Sequence, residues 1–135
     1  MNIYLNFTGN CREVFEFYRS VFGGEFEVLQ TFADAPPEAG MPAEIADQIM
    51  HVSLPMPDGV LMGSDVPAPD ELRPGNNFAI SLSASSRAEA DRLFAALSAD
   101  GSVEMALQET FWGSYFGSCR DQFDINWMIS HDQDS

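Results

Sequence analysis

The side chains able to do chemistry are few, and most lie on segments that alternate like strands. His51 falls within Gln48–Leu54. An imidazole can serve as a pocket acid or base and equally as a histidine hydrogen-bonded at a strand edge. Asp65 ends the run Met62-Gly63-Ser64-Asp65, placed either to orient His51 and take its proton or to cap the following turn. Gln108, Glu109 and Thr110 lead into Phe111 and Trp112. Alternation sends Gln108 and Thr110 to one face and Glu109 to the other, so a regular strand cannot bring all three to one pocket. Gln108 with Asn77 has the donors and acceptors to grip a polar ligand, or the two satisfy each other. Trp112, Phe116 and Trp127 supply either an aromatic wall for a planar ligand or part of a core. Cys11 and Cys119 are too few for a disulfide framework and lack the paired spacing of a zinc site, so they read as separate thiols. Cys119 has Arg120 beside it, but neighbours on a strand face opposite ways, which gives no activated nucleophile. The chain has no glycine-rich phosphate loop, no Gly-x-Ser-x-Gly, no CxxC and no HxxxH pair.

The elements that must position these groups come in two similar sets. Residues 3–7 alternate as a strand, and Asn10 followed by Glu13 has the pattern of a capping box. Val14, Phe17, Tyr18, Val21 and Phe22 then form one helical stripe, closed by Gly23-Gly24. Strands are expected at 25–32, 48–54 and 60–64, the last two joined by Pro57-Asp58-Gly59; Ala33–Asp47, with Pro36, Pro37 and Pro42, reads as a loop or flap. After the Pro-rich linker Val66–Gly75 the order repeats. A strand at 77–83 leads to a second box, Ser86 with Glu89, then to the stripe Ala90, Leu93, Phe94 and Leu97, closed by Gly101. Strands near 102–110, 115–121 and 125–130 complete the set. The reading is an α+β single domain over 1–135, made of two βαβββ modules, about 1–66 and about 77–131, with the linker at about 66–76. Each module alone exposes an apolar sheet face, so the pair is expected to form a curved mixed sheet with a concave pocket.

Composition narrows the partners. Twenty-one acids stand against six bases, all arginine, for a net charge of −15. Phosphate backbones need Lys/Arg to displace their counterions, so a nucleic-acid partner is excluded, and an anionic membrane surface is disfavoured for the same reason. The acids read as solvating charge or as a docking face for a basic partner. No apolar run approaches the roughly 18–20 residues of a membrane span, and the start of the chain lacks a secretory pattern, which points to the cytoplasm.

Several stretches resemble the PhnB-like branch of the vicinal oxygen chelate superfamily (glyoxalase, bleomycin resistance, extradiol dioxygenase). In the first module these are Tyr4-Leu5-Asn6-Phe7-Thr8-Gly9-Asn10-Cys11, Phe22-Gly23-Gly24, Met50-His51-Val52 and Leu61 to Asp65. In the second they are Gly101 to Gly113, Phe116-Gly117, Asp121-Gln122-Phe123 and Trp127-Met128-Ile129. The likeness covers residues 3–131 apart from the Ala33–Asp47 loop. It departs at Asp124, where relatives carry Gly, so the turn into the last strand is expected to differ locally. The resemblance implies the paired-module fold, and in metal-dependent relatives it implies a His, Glu or Gln on the first strand of each module with an acid on the last. Laid on that pattern by the helix starts, the four positions fall on Ile3, Met62, Asn77 and Met128. Ile has no donor, Met is a soft thioether, and a lone Asn is a weak ligand. The implied function is therefore metal-free and without cofactor: small-molecule binding in a largely apolar pocket lined by Tyr4, His51, Met62, Asn77, Gln108, Trp112 and Trp127, in a homodimer. His51 and Asp65 are the candidates for any catalysis. The rivals are a divalent-metal lyase, isomerase or dioxygenase drawing on His51, Asp65, Glu104 and Asp121, and a scaffold with a filled pocket.

Overall fold

The computed structural model describes residues 2–36, 40, 43–66 and 69–132. Parts of the expected flap (37–39 and 41–42) and of the expected linker (67–68) lie outside the described residues. The chain divides into two compact units, Met1–Arg73 and Pro74–Ser135.

In the first unit β1 (Ile3–Phe7) precedes α1 (Cys11–Phe22), followed by β2 (Val28–Thr31), β3 (Ile49–Met56) and β4 (Gly59–Asp65). The sheet order is β1-β4-β3-β2, with β1 parallel to β4 and the other pairs antiparallel. The second unit repeats this as β5 (Ile80–Ser83), α2 (Arg87–Ser98), β6 (Ser102–Glu109), β7 (Ser114–Arg120) and β8 (Asn126–Asp132), ordered β5-β8-β7-β6 with β5 parallel to β8. Two four-stranded mixed sheets with one helix each are the expected βαβββ pair. The helices have 12 residues apiece and start 76 apart, Arg87 against Cys11.

Each helix buries one stripe on its own sheet. On α1 the buried residues are Cys11, Val14, Phe15, Tyr18 and Val21. The stripe is therefore turned slightly from the expected one: Phe15 is in the core, and Phe17 and Phe22 are only half-buried. Facing it are Leu5, Phe7, Val52, Leu54 and Leu61, all buried. Gly63 has no side chain because the Phe15 ring occupies its place; a Cβ there would lie 2.5 Å from Phe15 Cε1. On α2 the buried set is Ala90, Leu93 and Leu97. Phe94 lies over Gly117, whose Cβ would come within 2.9 Å of the ring.

The helix ends differ from the local motifs. Asn10 makes no side-chain cap bond; the Cys11 amide donates instead to Asp65 Oδ1 at 2.9 Å. A carboxylate from the end of β4 thus replaces the expected capping box. At α2 half of the box forms. Ser86 Oγ accepts from the Glu89 amide at 3.0 Å, while the Glu89 carboxylate turns to Arg92. Gly23, at φ 79°, closes α1 as expected, its amide donating to the Arg19 carbonyl. At α2 the left-handed residue is Asp100, at φ 58°, rather than Gly101.

Several strands also depart from their expected form, and β5 begins at Ile80 rather than at 77, so Asn77 precedes the strand. β2 begins at Val28, although the Glu27 amide still reaches the Ser53 carbonyl. The arms of the long loop are tied at its base by Phe32 to Gln48 and Ala33 to Ala46 backbone bonds. β6 is an edge strand whose pairing with β7 slips between Val103 and Met105 and again between Met105 and Gln108. Such bulges change which side chains share a face. The turn into β8 places Asp124 at φ 70°, a conformation that glycine adopts freely and Asp tolerates better than most residues.

Candidate functional site

The first unit gathers Tyr4, His51 and Met62 on one face of its sheet. Gly63 faces Phe15 of α1, so its neighbours Met62 and Ser64 point the other way, by strand alternation. Tyr4 lies opposite Met62 across the β1–β4 ladder, and Ser53 opposite Met62 on the other side. Tyr4 and His51 reach over β4 to stack, with ring centroids 5.8 Å apart and planes at 21°. The Tyr4 hydroxyl lies 3.4 Å from His51 Nδ1. That contact lies along one edge of the imidazole.

Asp65 is not brought to His51. It alternates with Gly63, so it lies on the helix side of the sheet, where it is 2 % exposed. Its Oδ1 accepts from the Gly9 amide at 2.8 Å and the Cys11 amide at 2.9 Å, and its Oδ2 from the Ile49 amide at 2.8 Å. This carboxylate ties the start of α1 and the start of β3 to the end of β4.

In the second unit the face of β7 and β8 away from α2 carries an open cleft of about 390 Å³. Phe116 and Ser118 line it from β7, Met128 from β8, Glu104 from β6, and Asn77 and Phe78 from the segment before β5. Asn126 lies at its end, 8 % exposed, donating from Nδ2 to the Gly75 carbonyl at 3.5 Å. Two of the sequence candidates border this surface through Phe116. Gln108 is its cross-strand partner, and Trp112 packs edge-on against it with centroids 6.0 Å apart. Trp112 and Phe111 stand at the tip of the β6–β7 hairpin, which turns at Gly113, φ 89°. Phe111 is 97 % exposed and Trp112 56 %. Trp127 also borders the cleft, but its side chain is fully buried and its indole N–H donates to Asp121 Oδ2 at 2.8 Å. Asp121 Oδ1 accepts from the Phe123 and Ile125 amides.

Phe78, Ser118 and Asn126 are cleft residues that the sequence does not single out. A signal exists for Ser118, because Phe116 and Ser118 are two apart on one strand and share a face. Glu109 goes to the opposite side, as expected, and pairs with Arg87, whose guanidinium lies 4.0 Å from the Tyr115 ring centroid.

The donors do not suit a divalent ion. In the first unit the family-pattern positions hold Ile3 and Met62, and in the second Asn77 and Met128, none a hard or borderline charged ligand. In the rival set, His51 and Asp65 lie on opposite faces of one sheet, and both Asp121 oxygens are engaged. Among the described residues no group of three or more His, Cys, Asp or Glu could hold an ion.

Both thiols are buried and unpaired with each other. Burial first, and then Asp65, pushes the Cys11 thiol far above its ordinary range. Burial, with Asp121 and Glu104, pushes Cys119 up to about 11. The thiolate is the reactive species, so at pH 7.5 the folded protein is expected to leave both cysteines unmodified by a thiol-reactive dye, while the denatured chain titrates two. Rapid labelling of either in the native state would contradict their burial.

With these faces placed, comparison with known proteins settles the lineage. The model of the glyoxalase/bleomycin resistance protein/dioxygenase superfamily matches residues 2–129, which span both modules. The chain belongs to that superfamily. A curated relative, Protein YjdN of Escherichia coli (strain K12), is 32% identical over 134 residues, covering 94% of this chain and 91% of that protein. The crystal structure of PA1353 from Pseudomonas aeruginosa is 41% identical, with a TM-score of 0.86 and coverage of 98% of this chain and 96% of that one. The PhnB protein from Bacillus cereus shares the fold at a TM-score of 0.80, 19% identity and coverage of 97% and 98%. Among the described residues no helix is long and apolar enough to cross a membrane.

Proposed function

We propose that this glyoxalase-superfamily chain is a metal-free, small-molecule-binding protein of the PhnB-like kind, a single cytoplasmic domain that acts as a homodimer. The observation that carries the reading is the open cleft on the second sheet, where amide, hydroxyl and carboxylate groups stand beside phenyl rings. Such a mixture of apolar walls with a few polar groups is the usual make-up of a ligand site. The Tyr4–His51–Met62 face of the first sheet offers a second surface of similar character. Supporting independence from metal is the donor chemistry: the family-pattern positions carry Ile, Met and Asn. Supporting a dimer are Phe111, Trp112, Val103 and Met105, large apolar side chains exposed on one unit, which a partner copy would cover.

Elemental analysis of protein purified without chelator is expected to find well under one divalent metal per chain, and EDTA to leave the melting temperature unchanged. Stoichiometric Zn, Ni, Mn or Fe would sink the metal-free reading. A planar aromatic ligand at about 100 times its Kd should stabilise the fold by about 2.7 kcal/mol through mass action, and Phe116→Ala should abolish the rise. Native mass measurement should return twice the 14.9 kDa of one chain.

A further inference from the structure

We infer that the cleft on the second sheet takes a planar aromatic cation, a ring system carrying a protonated amine, in preference to neutral or anionic compounds of the same shape. The inference rests on the proposal that the cleft is a ligand site and adds the class of ligand. Glu104 is the one formally charged side chain among the lining residues. Three of the five glutamates on the α-helices and strands face an arginine, Glu16 with Arg19, Glu89 with Arg92 and Glu109 with Arg87, while Glu13 and Glu104 make no ion pair among the described residues. Glu104 is exposed on the edge strand β6, so its carboxylate is free of any base and open to a cation that enters the cleft.

The rest of the lining agrees with a cation on an aromatic body. Phe78, 57 % exposed, and Phe116 present phenyl rings, whose negative faces attract a cation as well as a flat apolar surface. Asn126 spends its Nδ2 on the Gly75 carbonyl, which leaves Oδ1 as an acceptor for an N–H. Ser118 adds a hydroxyl that accepts or donates. None of the lining residues offers an anionic ligand a base. The chain has no lysine, and Arg120, two residues beyond Ser118 on the same face of β7, is not among the lining residues and lies 3.8 Å from the Asp124 carboxylate. The net charge of −15 adds a long-range bias of the same sign, which salt screens and which no single residue controls.

The test uses three probes of one shape, 2-naphthylmethylammonium, 2-naphthylmethanol and 2-naphthoate, titrated into the full chain in roughly 0.15 M salt, where exposed charges beyond a Debye length are screened. Affinity is read by calorimetry, and location by NMR shifts of the Ser118 and Asn126 amides. The ammonium is expected to bind about tenfold more tightly than the alcohol, and the carboxylate most weakly. Glu104→Gln should bring the ammonium within about twofold of the alcohol while leaving the alcohol unchanged, and Glu89→Gln on α2, across the second sheet from the cleft, should change neither. If the ammonium keeps its advantage in Glu104→Gln, or if alcohol and ammonium bind alike in the parent chain, the charge class is overturned and the cleft stands as a neutral-ligand site. Tightest binding by the carboxylate overturns the class in favour of Arg120. If no probe shifts the cleft amides, the inference falls together with the proposed site.

Discussion

Asp65→Ala is expected to destabilise the protein by about 3–5 kcal/mol, a large share of what a domain of ordinary stability possesses. The side chain is 2 % exposed and accepts from three backbone amides, those of Gly9, Cys11 and Ile49. Hydrogen bonds to a charged acceptor contribute about 1.5–3 kcal/mol each, and a buried donor left without a partner costs its full desolvation. The three are not additive, because they share one carboxylate and the cavity it would leave. Asp65→Asn keeps the volume but presents an NH2 where one oxygen accepted, setting donor against donor; about 2–4 kcal/mol is expected. Urea denaturation measures both. Hydrogen exchange locates the damage, since the Gly9, Cys11 and Ile49 amides should lose protection ahead of the centre of β3. A loss below about 1 kcal/mol for Asp65→Ala would show that water or a neighbour replaces the carboxylate, against the geometry.

The same residue shows where sequence reading runs out. The periodic elements are legible: the helical stripes, the strand alternation and the 76-residue repeat are all local patterns, and they lead to two βαβββ modules and the superfamily. Asn10 with Glu13 is a local pattern too, yet Asn10 makes no side-chain cap bond, and the first amide of the helix, Cys11, donates to Asp65, 54 residues away in sequence. Nothing in the sequence beside Asn10 encodes that competitor. Tyr4 and His51 illustrate the reverse. Each is a candidate alone, but their contact depends on β4 lying between β1 and β3, and strand order is a property of the folded sheet. Trp127 fits an aromatic wall and a core equally well by composition. What puts its ring inside is the Asp121 carboxylate six residues earlier, held by the tight turn through Asp124. The cleft is least legible because β6 slips register twice, so simple alternation cannot assign Glu104 to a face.

The second large effect is expected from Gly101→Ala, at about 3 kcal/mol, the upper range for forcing a methyl into a packed site. Gly101 reads from sequence as a helix stop with a left-handed backbone, but Asp100 takes that conformation. The reason for glycine is steric. A Cβ at 101 would lie 2.1 Å from the Arg120 carbonyl oxygen and 2.9 Å from the Asp121 carbonyl carbon. These are backbone atoms with no rotamer to escape into, so the end of β7 has to move. That movement carries Asp121, which holds the turn amides and the Trp127 indole, and it displaces the strand bearing Ser118 in the cleft. Gly24 is the control. It sits at φ 83°, and a methyl added there would meet nothing within 4 Å, so Gly24→Ala costs only the backbone strain of a left-handed residue, about 1–2 kcal/mol. Gly63→Ala should fall between, because its closest neighbour is the Phe15 ring, 2.5 Å away, which can shift, and the nearest backbone atom, the Leu5 carbonyl oxygen, is 3.0 Å away. Urea midpoints rank the three variants, and Trp127 emission should red-shift first in Gly101→Ala as its ring loses the buried carboxylate. Equal costs at 101 and 24 would mean that β7 yields without penalty, and the close approach of Gly101 to Arg120 would then play no part in holding the second sheet.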